Sequence, residues 1–153
     1  METMTVYIGA DHRGFALKDF LKGALGKAGY DVVDMGNSVL NLHDDYPDFA
    51  RAVAEKVRER PNDNRGIVIC GSGIGADVTA NKSKGIRSAL AFSIEQITAG
   101  RKDDNVNVLA LAADFVEEHQ AEAMAVAFLT TPFGEEERYQ RRVDKIQEFE
   151  DRI

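Results

Sequence analysis

At 153 residues, 44% of them hydrophobic and 29% charged, the chain has the size and mix of one globular unit, and 1–153 is expected to be a single domain with one buried core. A net charge of -7 argues against nucleic acid or an anionic membrane as partner, and a single cysteine excludes an intrachain disulfide framework. No apolar run approaches the ~18 residues of a membrane span, and METMTVYIGA lacks the charged-then-apolar layout of a secretion signal, so a cytoplasmic protein is expected.

In chain order, Val6 to Ile8 begins an apolar run that ends at Gly9-Ala10-Asp11-His12, a strand stopping at a polar corner. Leu17, Phe20, Leu21, Ala24, Leu25 and Ala28 then recur at helical spacing, and Gly29 closes that helix. Tyr30 to Val33 reads as a second strand and completes a βαβ unit. Residues 35–46 are polar and irregular, a surface loop. From Pro47 to Arg60 a helix is expected to bury Phe49, Ala50, Val53, Ala54 and Val57, and PNDN at 61–64 makes a turn.

The third strand, Ile67 to Cys70, stops at three glycines on alternate positions, Gly71, Gly73 and Gly75, and gives way to a short helix through Ala80 and Asn81. Ile86 to Phe92 reads as the fourth strand. Ser93 is placed to cap a helix running to about Lys102, with Gln96 at the capping-box position. Asn105 to Ala112 is the fifth strand. Two helices follow, one over about 114–129 burying Phe115, Ala121, Met124, Ala125 and Phe128, the other over about 135–152 with a narrow seam of Tyr139, Val143, Ile146, Phe149 and Ile153. The pattern predicts a three-layer, Rossmann-like α/β fold: a five-stranded parallel sheet flanked by helices, with the C-terminal helix left over to pack on a second subunit.

Such sheets bind ligands at the C-terminal ends of their strands, where Asp11-His12, the stretch Cys70 to Gly75 and the loops around the last two strands converge. A glycine turn into a helix gathers backbone N–H groups and favours an anion, and Cys70 sits where that cradle begins. Neither common phosphate loop fits: Ala76-Asp77 stands where the Walker pattern needs Lys-Ser or Lys-Thr, and G-x-G-x-G is not G-x-G-x-x-G. The plain alternative is a tight turn with Cys70 as a small buried hydrophobe.

On the last helix Arg141 has Glu137 and Asp144 at pairing distance, whereas Arg142 has Tyr139, Lys145, Arg138 and Ile146 and no acid. The Arg138 and Arg142 pair is therefore a candidate phosphate clamp, or else a basic patch neutralised from elsewhere in the fold. His12 is expected at a ligand, His43 and His119 on the surface. No spacing suits a metal, and no nucleophile elbow supports seryl chemistry.

Together, GADHRGFALK (9–18), DYPDFA (45–50), ICGSGIG (69–75), ANKSKGIRSAL (80–90), NVLAL (107–111) and RYQRRV (138–143) resemble the ribose-5-phosphate isomerase B family, which also contains the galactose-6-phosphate isomerase subunits. The resemblance covers nearly the whole chain. It implies a homodimer or dimer of dimers with active sites at the subunit interface, no cofactor, and interconversion of an aldose phosphate with its ketose phosphate. By this resemblance Cys70 moves the proton between C1 and C2 of the open-chain sugar, and Ser72 is the neighbouring hydroxyl. Gly71, Gly73, Ile74 and Gly75 supply the N–H groups that stabilise the enediolate. Asp11 and Tyr46 match sugar-binding positions, while His12, Arg138 and Arg142 match phosphate-contacting ones. A thiol at a helix N-terminus can serve as such a base, and the same dipoles favour the oxyanion.

The chain also departs from the family. Asp103-Asp104 replace a His-Asn pair whose histidine opens the furanose ring, so Asp103 becomes the candidate for ring opening and Asp104 for substrate contact. Asp114 stands where a phosphate-holding arginine is common, and Tyr139 where a histidine often follows the first C-terminal arginine. The default substrate pair is ribose 5-phosphate and ribulose 5-phosphate. The alternatives are a tetrose, allose or galactose 6-phosphate, or a sugar-phosphate-binding subunit active only with a partner chain.

Overall fold

A computed structural model describes residues 3–153. Five parallel strands form one sheet: β1 (Thr5–Ala10), β2 (Asp31–Asp34), β3 (Arg65–Cys70), β4 (Ser88–Leu90) and β5 (Val108–Ala112), in the order β2-β1-β3-β5-β4. Six helices accompany them among the described residues: α1 (Phe15–Lys27), α2 (Tyr46–Glu59), α3 (Ile74–Ala80), α4 (Ile94–Asp104), α5 (Glu118–Thr130) and α6 (Glu137–Glu150). The central strands are apolar on both faces because both are covered. Alternation along β3 and β5 sends Ile67, Ile69, Leu109 and Leu111 to a core shared with α1, α4 and α5, whose Leu21, Ile97, Met124 and Phe128 are buried there. It sends Val68, Cys70, Val108 and Ala110 to the opposite face, against Val53, Ala54 and Val57 of α2 and Ala76 and Ala80 of α3. The expected three layers are present.

Helix ends follow the sequence signals closely. Gly29, at φ +94°, ends α1 with the Tyr30 N–H donating to Leu25 O at 3.1 Å. Ser93 Oγ accepts from the Gln96 N–H at 3.0 Å, and Gln96 Oε1 reaches back to the Phe92 N–H at 2.8 Å. Lys18 is a surprise: it is fully buried on α1, with Nζ 3.1 Å from Asp34 Oδ1 and 2.7 Å from Asn37 O, so it ties α1 to the end of β2.

β2 is shifted by one residue from the expected Tyr30 to Val33, β3 begins at Arg65 rather than Ile67, and four further boundaries differ from expectation for tertiary reasons. α2 begins at Tyr46 rather than Pro47, which puts Tyr46 at the helix mouth. β4 spans only Ser88–Leu90 instead of Ile86 to Phe92, because it is an edge strand; the Asn81 side chain accepts from Ser88 N at 2.8 Å and donates to Ser88 O at 3.0 Å, covering its rim. β5 starts at Val108 rather than Asn105, since Asn105 caps α4 in the left-handed region at φ 51°. α5 starts at Glu118, not 114, because residues 113 and 114 first fold back on the glycine loop, Ala113 N to Cys70 O at 2.9 Å and Asp114 N to Gly71 O at 3.0 Å. Phe115 is thereby lifted out of the expected core and is 70% exposed.

α6 packs on its own chain through one part of its seam. Tyr139 and Val143 are buried, α6 lies against α4, and the Glu150 carboxylate accepts from the Gly85 N–H at 3.0 Å. Ile146, Phe149 and Ile153, the rest of the seam, remain exposed.

Candidate active site

The strand order reverses between β1 and β3, whose C-terminal ends lie side by side. Asp11 stands one residue beyond β1, and Cys70 is the last residue of β3. This is the crevice in which open α/β sheets take ligands. It holds a cleft of about 460 Å³ lined by Cys70, Gly71, Ser72 and Gly75 from the glycine loop, Asp11 and Arg13 from the β1–α1 turn, Tyr46 from the start of α2, and Asp114 and Phe115 beyond β5. Cys70 is only 4% exposed at the strand end, so a ligand must come down to it.

Close packing fixes the loop. Gly73 lies at φ +74°, and a side chain there would also strike Leu90 and the Leu111 backbone. The Tyr46 ring lies against Gly75 so closely that no Cβ fits between them. Ser72 Oγ accepts from the Ile74 N–H at 3.3 Å. Asp11 is buried, and its Oδ1 accepts from the N–H groups of Arg13 (3.0 Å) and Gly14 (3.2 Å), which holds the carboxylate at the start of α1.

His12 is held by Asp44, whose Oδ1 lies 2.8 Å from the His12 N–H and 2.9 Å from Nδ1; Asn37 Nδ2 donates to the other oxygen at 3.1 Å. The hydrogen bond to Asp44 raises the imidazole pKa above its ordinary value, with desolvation opposing and the charge of Asp11 adding to the rise.

Comparison with known proteins places this arrangement. The family described as Ribose/Galactose Isomerase matches residues 6–146. The chain belongs to the ribose/galactose isomerase family. It is 39% identical over 148 residues to a probable ribose-5-phosphate isomerase B of Mycoplasma genitalium, covering 97% of each chain. It is 37% identical over 150 residues to ribose-5-phosphate isomerase B of Mycobacterium tuberculosis, covering 98% of this chain and 92% of that one. Among solved structures, that of ribose-5-phosphate isomerase B from Mycoplasma genitalium with bound ribulose-5-phosphate superposes with a TM-score of 0.95 at 38% identity, over 100% of both chains.

The remaining expected residues are not among those that line the Cys70 cleft. Asp103 borders a shallow depression with Ile94, Thr98 and Lys102 on α4, and Asp104 faces a groove with Arg87, Ile146 and Phe149. Arg138 has an acid of its own, Glu136 at 2.9 Å, and stacks on Tyr139 with its guanidinium 5.2 Å from the ring centre. The hydrogen bond to Tyr139 and the charges of Glu136 and, more weakly, Asp103 raise its pKa. Asp103 and Arg138 therefore share a neighbourhood where α4 and α6 meet, while Arg142 is exposed on α6. Arg141 pairs with Glu137 at 2.9 Å, as its spacing predicts.

Two residues that line the cleft, Arg13 and Phe115, and one that holds His12, Asp44, are not marked as binding residues by the sequence. Arg13 lies inside the very motif read for Asp11 and His12, yet nothing in its spacing says that it reaches over the glycine loop to pair with Asp114. Phe115 carried a helix-core signal that the turn after β5 overrode. Asp44 sat in a polar loop, and its partner is 32 residues away.

Proposed function

We propose that this chain interconverts ribose 5-phosphate and ribulose 5-phosphate through an enediolate, with no cofactor, as a single-domain cytoplasmic enzyme. One observation carries the reading: the only thiol of the chain closes β3 at the switch point of the sheet, buried beside a glycine loop and flanked by Asp11 and Tyr46. Cys70 takes the C2 proton of the open-chain aldose, and the electron pair moves into a C1–C2 double bond with charge on O1. The hydroxyl proton of O2 moves to O1, Cys70 returns its proton to C1, and the ketose is formed. Ser72 and the N–H groups of Gly71, Gly73, Ile74 and Gly75 hold the oxyanion, a role for dipoles fixed before the charge develops. Asp11 and Tyr46 bind the sugar hydroxyls.

Ring opening falls to Asp103, substrate contact to Asp104, and phosphate binding to His12 with Arg138 and Arg142. Because the Asp103 and Arg138 neighbourhood stands apart from the Cys70 cleft on one chain, we place it against the cleft of a second subunit in a homodimer or dimer of dimers. The exposed apolar side chains of Ile74, Val78, Phe92 and Ile94, close to the glycine loop or at the start of α4, support such a contact.

Proton NMR of ribose 5-phosphate with the protein in deuterated water tests the reading. Ketose formation with deuterium entering the carbon skeleton is expected, and Cys70→Ala is expected to abolish both while the fold persists. Ketose formation undiminished in Cys70→Ala would remove the thiol from the chemistry, and no ketose with the unaltered protein would reject this substrate.

A further inference from the structure

The side chains that line the cleft bring two carboxylates, Asp11 and Asp114, and a single cation, Arg13. An anionic sugar phosphate entering there meets net negative charge unless that guanidinium receives it. Its position suits the task. Arg13 stands on the β1–α1 turn and crosses Gly71: a Cβ built on Gly71 would lie 2.8 Å from Arg13 Nε and 2.7 Å from Asp114 Oδ2. Glycine at 71 thus gives passage to the pair. Arg13 NH2 is engaged by Asp114, which leaves the rest of a five-donor fork available. The side chain of Arg13 is 59% exposed, whereas Cys70 is 4% exposed, so the cation marks the mouth of the cleft and the thiol its floor.

We infer that Arg13 binds the phosphate of the substrate at the mouth of the cleft, and that Asp114 is a positioning residue that holds the guanidinium over Gly71. The inference rests on the proposed reaction for its substrate. The carbons that exchange protons must reach Cys70, so the phosphate, at the other end of the open chain, lies toward the mouth. Arg13 is there, on the same chain as the thiol, independently of any contribution from a second subunit. A guanidinium fork suits a phosphate by bidentate, charge-assisted bonds, and its pairing with Asp114 offsets the carboxylate that would otherwise repel the ligand.

The test is a kinetic comparison of Arg13→Ala, Asp114→Asn and the double variant Arg13→Ala/Asp114→Arg on ribose 5-phosphate. Arg13→Ala is expected to raise KM about tenfold or more with kcat within about threefold, the signature of a lost contact to a group that does not react. Asp114→Asn should raise KM less. The double variant carries the guanidinium in from the other side of Gly71 and should recover most of the KM. A KM for Arg13→Ala within about twofold of the unaltered protein overturns the assignment, and so does a rise that the double variant leaves in place. Titration of ribose 5-phosphate into Cys70→Ala and into Arg13→Ala/Cys70→Ala separates this from the reaction itself. If the unaltered protein does not turn ribose 5-phosphate over, the proposed reaction fails, and the titration alone decides Arg13. Binding about tenfold weaker without Arg13 sustains the inference; equal affinity, or no binding to Cys70→Ala, overturns it.

Discussion

At the scale of single residues, the cleft is shaped by contacts that a sequence motif does not display. Gly75 could be read as one more glycine of a flexible loop, but its neighbour is the Tyr46 ring, with no room for a methyl group. Gly75→Ala should therefore push Tyr46 out of the cleft and lower kcat/KM about tenfold or more, with a smaller effect on thermal stability because Tyr46 is already partly exposed; steady-state kinetics beside a melting curve checks this. The His12 and Asp44 pair has a definite pH sense. A folded-state pKa raised above about 6.5 means that the protonated ring favours the folded chain. Its contribution is full below about pH 6.5 and is lost as pH rises through the raised value. Asp44→Asn should bring the His12 titration, followed by NMR of the ring protons, back down toward its ordinary position. Cys70, Asp11, Tyr46 and Ser72 were legible from the sequence because strand ends and a family motif mark them. Asp44 and the Arg13 pairing were not, since each depends on a partner 32 or 101 residues away.

At the scale of elements, periodicity located every strand and helix, and the errors fell at ends decided by tertiary contacts. Asn105 precedes an apolar run and so reads as strand, but the last turn of α4 takes a left-handed cap there. Phe115 fitted a helical stripe, but the hydrogen bonds from Ala113 and Asp114 to the glycine loop hold the chain in a turn. Lys18 breaks the apolar pattern of α1, yet it is as fully buried as Leu21 and Leu25 on the same helix. Its ammonium is matched by Asp34 and Asn37 O and lies 5.0 Å from the Phe15 ring centre. Burial pushes the Asp34 carboxyl up, but hydrogen bonds from Lys22, the Gly36 N–H and Lys18 outweigh it and leave the pKa lowered. Lys18→Ala opens a void and leaves the Asp34 carboxylate to Lys22 and the Gly36 N–H alone, and should cost about 2 kcal/mol by urea denaturation. A loss under about 1 kcal/mol would make the lysine a bystander.

At the scale of the whole molecule, the fold segregates two sets of polar residues, Cys70 with Asp11 and Tyr46 at the sheet's crevice, and Asp103 with Arg138 where α4 meets α6. If the second set serves a neighbouring subunit, inactive chains can repair one another. Cys70→Ala and Arg138→Ala/Arg142→Ala, unfolded together and refolded as a mixture, should regain about a quarter of full activity, because half the dimers are mixed and each has one intact site. Separately refolded samples mixed afterwards at low temperature serve as the control, and no regain in the co-refolded sample would return both sets to one chain. The packing of Tyr46 on Gly75 has a further consequence at this scale. The chain contains no tryptophan and four tyrosines, and of these Tyr46 alone borders the cleft. Its phenol is a built-in chromophore: ultraviolet difference absorption or tyrosine emission follows occupancy directly, without a dye, a label or a coupled assay.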